Sequence, residues 1–213
     1  MRSGRKSRRG FTALEITIDV TIMSVFLTAL ALFGSSSSGF MASKTEQSDV
    51  ESRVRRIIIK MTQELMPTGL GALGPDPLPQ LGDRLEYRKS IGVTNGVRVW
   101  GDSHRLEFRY EQGEVDDGLD NNGNGLVDEG VVLWTRSIDG VEQGVVWCHG
   151  VRECLEGEED NGVDDNGNGF VDESGLSFEV LEDRIVVRLT VERASAEGMP
   201  YVQTLSTSIQ PRN

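Results

Sequence analysis

Two stretches of this chain carry oxygen donors at matching positions, 44 residues apart. Asp116-Asp117-Gly118-Leu119-Asp120-Asn121-Asn122-Gly123-Asn124-Gly125-Leu126-Val127-Asp128-Glu129 aligns with Asp160-Asn161-Gly162-Val163-Asp164-Asp165-Asn166-Gly167-Asn168-Gly169-Phe170-Val171-Asp172-Glu173. Both copies end in Asp-x-Asn-x-Asn-Gly-x-Val-Asp-Glu. Acids and amides at alternate positions around a glycine turn gather oxygens about one point, which is the chemistry of a hard divalent cation. Turn formation alone is the plainer alternative, since Asn-Gly and Asp-Gly make side-chain-to-backbone turns in any loop. Turn chemistry explains the glycines but does not require acids at both ends of each copy. Seven acids fall between Glu111 and Gly130 and nine between Glu153 and Glu173, so the formal charge of −12 is concentrated in these two segments. Bound ions would offset that repulsion and order loops with little apolar surface to bury.

The spacing resembles the first part of an EF-hand-type or thrombospondin-type calcium loop. The resemblance implies ligands at Asp120, Asn122, Asn124, the Leu126 carbonyl and Asp128, and again at Asp164, Asn166, Asn168, the Phe170 carbonyl and Asp172. Gly125 and Gly169 fall at the sixth position, where the bend is sharpest. The pattern departs at position twelve, where Val131 and Gly175 stand in place of the bidentate glutamate. Glu129 and Glu173, or the upstream Asp117 and Asp160, must then complete the shell. Calcium is the expected cofactor, with weak affinity of about 10⁻⁴ to 10⁻³ M because amides replace acids. Magnesium fits less well, because it keeps its waters.

The N-terminus carries a second constellation. Arg2, Arg5, Lys6, Arg8 and Arg9 stand together with no acid, and Phe11 to Phe33 is apolar apart from Glu15, Asp19 and a few hydroxyls. At about 1.5 Å per residue this run makes a helix of roughly 35 Å, enough for a bilayer core of about 30 Å, with the basic leader on the cytoplasmic side. The Gly10-Phe11 junction precedes the apolar run, whereas a secretory signal is cut after it. This arrangement resembles the type III signal of type IV prepilins and type II secretion pseudopilins. The resemblance implies that prepilin peptidase cuts between Gly10 and Phe11 and methylates Phe11, leaving Glu15 to meet the terminal amine of a neighbouring subunit. A carboxylate in hydrocarbon costs at least about 2.5 kcal/mol, and an ammonium partner offsets it. Ala13 stands where leucine is commoner in the family, and Asp19 adds a second acid one turn beyond Glu15.

A chain oriented in this way holds its cysteines outside the cytoplasm, so Cys148 and Cys154 are expected to form a small disulfide. Two thiols and His149 make an incomplete zinc set, and no redox or haem spacing occurs. His104 and His149 are isolated in sequence, and no nucleophile elbow or phosphate loop is present. His104 is expected in an exposed hairpin turn, and enzymatic activity is not expected. The acidic balance disfavours nucleic acid as a partner. With 213 residues and 37% hydrophobic content, one anchored globular domain is anticipated.

The positioning elements follow from periodicity. Residues 1–10 form the leader, 11–33 the transmembrane helix, 34–66 a hinge at Gly34 to Gly39 with an amphipathic helix, and 67–213 a β-rich domain. Val50, Val54, Ile57, Ile58, Met61 and Leu65 recur at three and four, as on a helix face laid against a sheet. Gly69 to Pro79 reads as a surface loop. Strands are expected at 85–89, 97–100, 105–111, 131–136, 145–147, 176–181, 184–193 and 201–209. Turns at Gly101 to His104, Asp139-Gly140 and Glu182-Asp183 would make them an antiparallel meander. The fold class is α+β, and with the N-terminal signal it is pilin-like. The resemblance to a J-type minor pseudopilin or minor type IV pilin implies a non-enzymatic subunit anchored in the inner membrane, with a periplasmic domain and other pilins as partners, that enters or initiates a pilus or pseudopilus. A calcium-dependent module recognising cargo or a surface at the filament tip is the alternative.

Overall fold

In the computed structural model the described residues are 12–77, 79–195 and 200–212, with the side chains of 33–43, 45 and 46 excepted. Gly10 and Phe11 lie outside them. The chain divides into two units, Met1–Glu46 and Gln47–Asn213.

Helix α1 runs from Ala13 to Leu65, and the Gly34 to Gly39 run keeps helical backbone within it rather than breaking it. Thr12 caps its start. The Thr12 hydroxyl receives the Glu15 N–H at 3.2 Å, while Glu15 Oε2 receives the Thr12 N–H and hydroxyl, both at 3.0 Å. This is a reciprocal capping box, which satisfies two donors that the helix start leaves free. Ala13–Leu32 is long and apolar enough to cross a membrane. Its hydroxyls turn inward: Thr21 donates to the Thr17 carbonyl at 2.6 Å, Ser24 to Thr21 at 2.8 Å and Thr28 to Ser24 at 2.8 Å. Bonding back to the preceding turn leaves no hydroxyl proton unsatisfied toward an apolar medium.

In the second unit the expected helix face is the buried one, since Val50, Val54, Ile57, Ile58, Met61 and Leu65 all lie in the core. They meet residues of an antiparallel sheet with nine strands among the described residues, including Leu85, Tyr87, Leu106, Phe178, Ile185, Leu189 and Ile209. The strands are β1 (Thr68–Gly74), β2 (Leu81–Gly82), β3 (Arg84–Thr94), β4 (Val97–Tyr110), β5 (Gly130–Ile138), β6 (Val141–Val151), β7 (Leu176–Val180), β8 (Ile185–Arg193) and β9 (Tyr201–Ile209). Their order is β1-β3-β4-β5-β6-β8-β7-β2, with β9 paired along β8. The fold is α+β, and the sheet curls.

Three expectations change. The Gly69 to Pro79 loop contains edge strand β1, which bonds to β3. Gly101 to His104 is not a turn: β4 runs through it, paired on both sides, with Ser103 opposite Arg88 and Ser137. The hairpin lies earlier, at Asn95-Gly96, where φ values of 52° and 78° match the twist that a two-residue turn requires. His104 is accordingly buried, stacked at 5.4 Å on Tyr87 and 5.6 Å from Trp134, and its Nδ1 lies 3.0 Å from the Asp102 carbonyl. Burial, with the Lys89 charge beside it, lowers its pKa.

Candidate metal centre

The two acidic repeats are long excursions of the sheet, one joining β4 to β5 and the other joining β6 to β7. Both have the same neck. In the first, Glu111 N–H donates to the Glu129 carbonyl at 3.1 Å and Glu114 N–H to the Glu111 carbonyl at 3.0 Å. In the second, Leu155 N–H donates to the Glu173 carbonyl at 2.7 Å and Glu158 N–H to the Leu155 carbonyl at 2.9 Å. The duplication therefore begins at 111 and 155, upstream of the residues that revealed it.

Inside each loop, side-chain oxygens organise the backbone. Asp120 Oδ1 accepts the Gly123 and Asn124 N–H at 2.7 and 3.2 Å, and Oδ2 accepts Gly125 at 2.9 Å. Asp164 accepts Gly167, Asn168 and Gly169 at 2.7, 3.1 and 2.8 Å. Asn122 and Asn166 each accept the N–H two residues on at 3.0 Å, and Asn124 and Asn168 accept those of Leu126 and Phe170 at 2.9 Å. These are the side-chain turns that the residue types favour. Each amide oxygen keeps a second lone pair for another partner.

Asp128 and Asp172 sit elsewhere, with φ of 51° and 50°. Asp128 reaches back to the N–H of Asp117 and Gly118 at 3.2 and 2.8 Å, and Asp172 to Asn161 and Gly162 at 3.1 and 3.0 Å. They close the base of each loop. An oxygen of Asp128 also comes within 4.8 Å of oxygens of Asp116 and Glu153. There a cavity of about 380 Å³ opens, lined by Gly125 to Asp128 from one loop, Glu158 to Asp160 from the other, and Arg152 and Glu192. Burial, and to a smaller extent the nearby Glu129, pushes Glu192 up to about 7 against the opposing Arg152 charge.

Turn chemistry does not account for the glutamates. Glu129 and Glu173 are buried, and each accepts the amides of two asparagines: Asn122 and Asn124 at 2.7 and 2.5 Å, then Asn166 and Asn168 at 3.4 and 2.6 Å. Bonded to the same asparagines are Glu114 and Glu158, also buried, which the sequence pattern did not single out. Glu114 accepts the Asn122 N–H at 2.7 Å, and Glu158 accepts the Asn166 N–H at 2.9 Å. Glu129 Oε2 and Glu158 Oε2 are buried without any hydrogen-bond partner. No basic side chain pairs with these four glutamates among the described residues. A buried carboxylate lacking a counter-charge is costly, and a divalent cation is the partner that this oxygen-rich donor set can hold. The signal was legible: Gly113-Glu114 and Gly157-Glu158 extend the repeat upstream at the same offset. Of the other residues considered for the shell, Asp117 and Asp160 are exposed, and Asp117 is spent on the Leu119 N–H at 3.0 Å.

The cysteines depart from expectation. Cys148 and Cys154 are free thiols. Cys148 points into the main core from β6, whereas Cys154 lies past the positive-φ residue Gly150 in the bridge to Ser174 and lines the inter-loop cavity. The two thiols occupy different surroundings. Burial pushes both up to about 11.

No family model, curated protein or solved structure matches this chain.

Proposed function

We propose that this chain is a non-enzymatic pilin-like subunit, of minor pilin or pseudopilin type, anchored in a membrane by its N-terminal helix and carrying two calcium-ordered loops on its β-rich domain. The observation that carries the proposal is the division of labour along α1. Ala13–Leu32 is apolar and exposes its side chains, while the Val50 to Leu65 face is buried on an antiparallel sheet. A helix that buries one half in its own domain and leaves the other half greasy needs a second apolar environment. Lipid supplies it first, and a bundle of like helices supplies it in a filament. Glu15 then has two partners: the Thr12 cap within the chain and, in an assembled bundle, the amine of a neighbour. The buried, uncompensated glutamates of the loops support calcium as the resident ion.

Processing tests the proposal directly. Full-length precursor is expressed with a prepilin peptidase, and the mature N-terminus is read by mass spectrometry. Methylated Phe11 is expected from the wild type, and Gly10→Leu should remain uncut and outside filaments. A different mature N-terminus, or normal maturation of Gly10→Leu, refutes it.

One observation favours the tip-binding alternative. Both loops expose apolar side chains at equivalent positions, Leu119 with Val127 and Val163 with Val171. If these contact cargo or a surface, Leu119→Ser with Val163→Ser abolishes that capture while calcium binding and assembly persist.

A further inference from the structure

We propose that Glu114 and Glu158 are direct cation ligands, each closing its loop's site opposite Glu129 or Glu173 and supplying the charge that an EF-hand takes from its twelfth position. The assignment depends on calcium occupancy of the loops as proposed above, and it names the ligands that the repeat spacing leaves open.

Three observations converge on it. The first is burial: Glu114 is 6% exposed, Glu158 0%, Glu129 0% and Glu173 1%. Glutamate is almost never hidden to this degree without a charged partner. The second is convergence. In the first loop Glu114 holds the backbone N–H of Asn122 while Glu129 holds its side-chain amide, and in the second Glu158 and Glu173 hold the same two groups of Asn166. Two buried carboxylates are thus held on one asparagine, and their like charges repel in a medium of low dielectric. The third is the orphaned oxygen: each loop leaves one, Glu129 Oε2 in the first and Glu158 Oε2 in the second. Neutral amide donors satisfy part of each pair but neutralise none of its charge, whereas a divalent cation does both.

The repeat carries its own control. Asp117 of the first loop corresponds to Asn161 of the second, and both accept the N–H two residues on, at 3.0 and 2.8 Å. An amide serves there as well as an acid, so that position makes a turn and needs no charge. Glu114 and Glu158 are glutamate in both copies, as are Glu129 and Glu173.

The test uses the full-length protein in detergent micelles, stripped with chelator and titrated calorimetrically with calcium chloride. Wild type should bind two Ca²⁺ per chain. Glu114→Gln should weaken one site by at least about tenfold, and Glu114→Gln with Glu158→Gln should weaken both, since even outer-shell losses cost about 10–100-fold. Asp117→Asn should stay within about twofold of wild type. Melting in chelator separates a ligand from a merely structural side chain. Removing an uncompensated buried charge should leave the double variant at least as stable as wild type without calcium. If wild type takes up two Ca²⁺ and the double variant keeps both within about threefold, or if that variant only melts lower in chelator with unchanged affinity, Glu114 and Glu158 are structural and the assignment is overturned. If wild type takes up no calcium, the calcium proposal itself fails.

Discussion

Withdrawing calcium should lower the melting temperature of the folded domain by on the order of 10–20 °C. A ligand that binds only the native state at about 100 times its dissociation constant adds about 2.7 kcal/mol. A simple sum over the two loops gives about 5 kcal/mol, and because the loops share a cavity any coupling between them is expected to move that sum by about 0.5–3 kcal/mol. For a domain of this size each kcal/mol moves the midpoint by about 2–4 °C. Loop order should reach the sheet because both necks are backbone-bonded next to strand ends: Glu129, whose carbonyl closes the first, precedes β5 directly, and Gly175 N–H, bonded to the Glu153 carbonyl at 2.7 Å, precedes β7. Intrinsic tryptophan fluorescence suits the assay, since Trp134 and Trp147 stack at 5.8 Å against the core. At the tight end of the expected affinity, about 10⁻⁴ M, calcium near 10 mM meets the 100-fold condition. Superimposable melts in calcium and in chelator, or an equal shift with magnesium at the same concentration, would refute the reasoning.

Met61→Ala should cost about 2–5 kcal/mol in urea titration, because that side chain is fully buried under the sheet, whereas Ile59→Ala on the exposed face should stay within about 0.5 kcal/mol. Gly175→Ala should be worse than Gly167→Ala: the first sets a Cβ 1.9 Å from the Arg152 carbonyl oxygen, costing about 3 kcal/mol or more, and the second meets only left-handed strain of about 1–2 kcal/mol. His104, with its lowered pKa, contributes stability that is full above about pH 6.5 and is lost as pH falls through the folded value. The stability difference between wild type and His104→Gln should therefore shrink on acidification, and a pH-independent difference would contradict that. Cys148 and Cys154 should resist iodoacetamide at pH 7.5 in the native state and take two labels per chain after denaturation without reductant. A disulfide would leave the denatured chain unlabelled.

Legibility in the sequence followed the strength of the periodic signal. The helix face was readable residue by residue, because six apolar side chains at intervals of three and four admit one buried side. Strand β8 was equally plain, since Ile185, Val187, Leu189 and Val191 fall at alternate positions and all four are buried. Where composition stood in for pattern, it misled. Gly101-Asp102-Ser103 has turn residues, yet ladders on both sides hold it in β4, and Thr68–Gly74 is glycine-rich but supplies the edge that β3 needs. Asn95-Gly96 had the stronger turn chemistry, because both residues tolerate positive φ. The N-terminal cap is encoded as Thr12-x-x-Glu15, a capping-box spacing that needs no tertiary information.

The loops show why the proposed ligand set was only half visible. Spacing within the turn reveals the groups that shape backbone, and those are Asp120, Asn122, Asn124 and their second copies. Groups that complete a shell from outside the turn are brought in by the neck, whose hydrogen bonds join residues 18 apart in each copy. No local pattern encodes that closure. Duplication does, because a neck residue whose charge matters is repeated with its charge, while a turn residue can change from Asp117 to Asn161. Comparing the copies position by position narrows the choice without completing it: the acid is kept at Glu114 and Glu158, at Asp120 and Asp164 and at Glu129 and Glu173, and also at Asp128 and Asp172, which bond the backbone, while 117 and 161 differ. Glu111 and Leu155 differ in charge, and the contact the two copies share there is made by the backbone; the Glu111 carboxylate lies 2.8 Å from His149 Nδ1 instead.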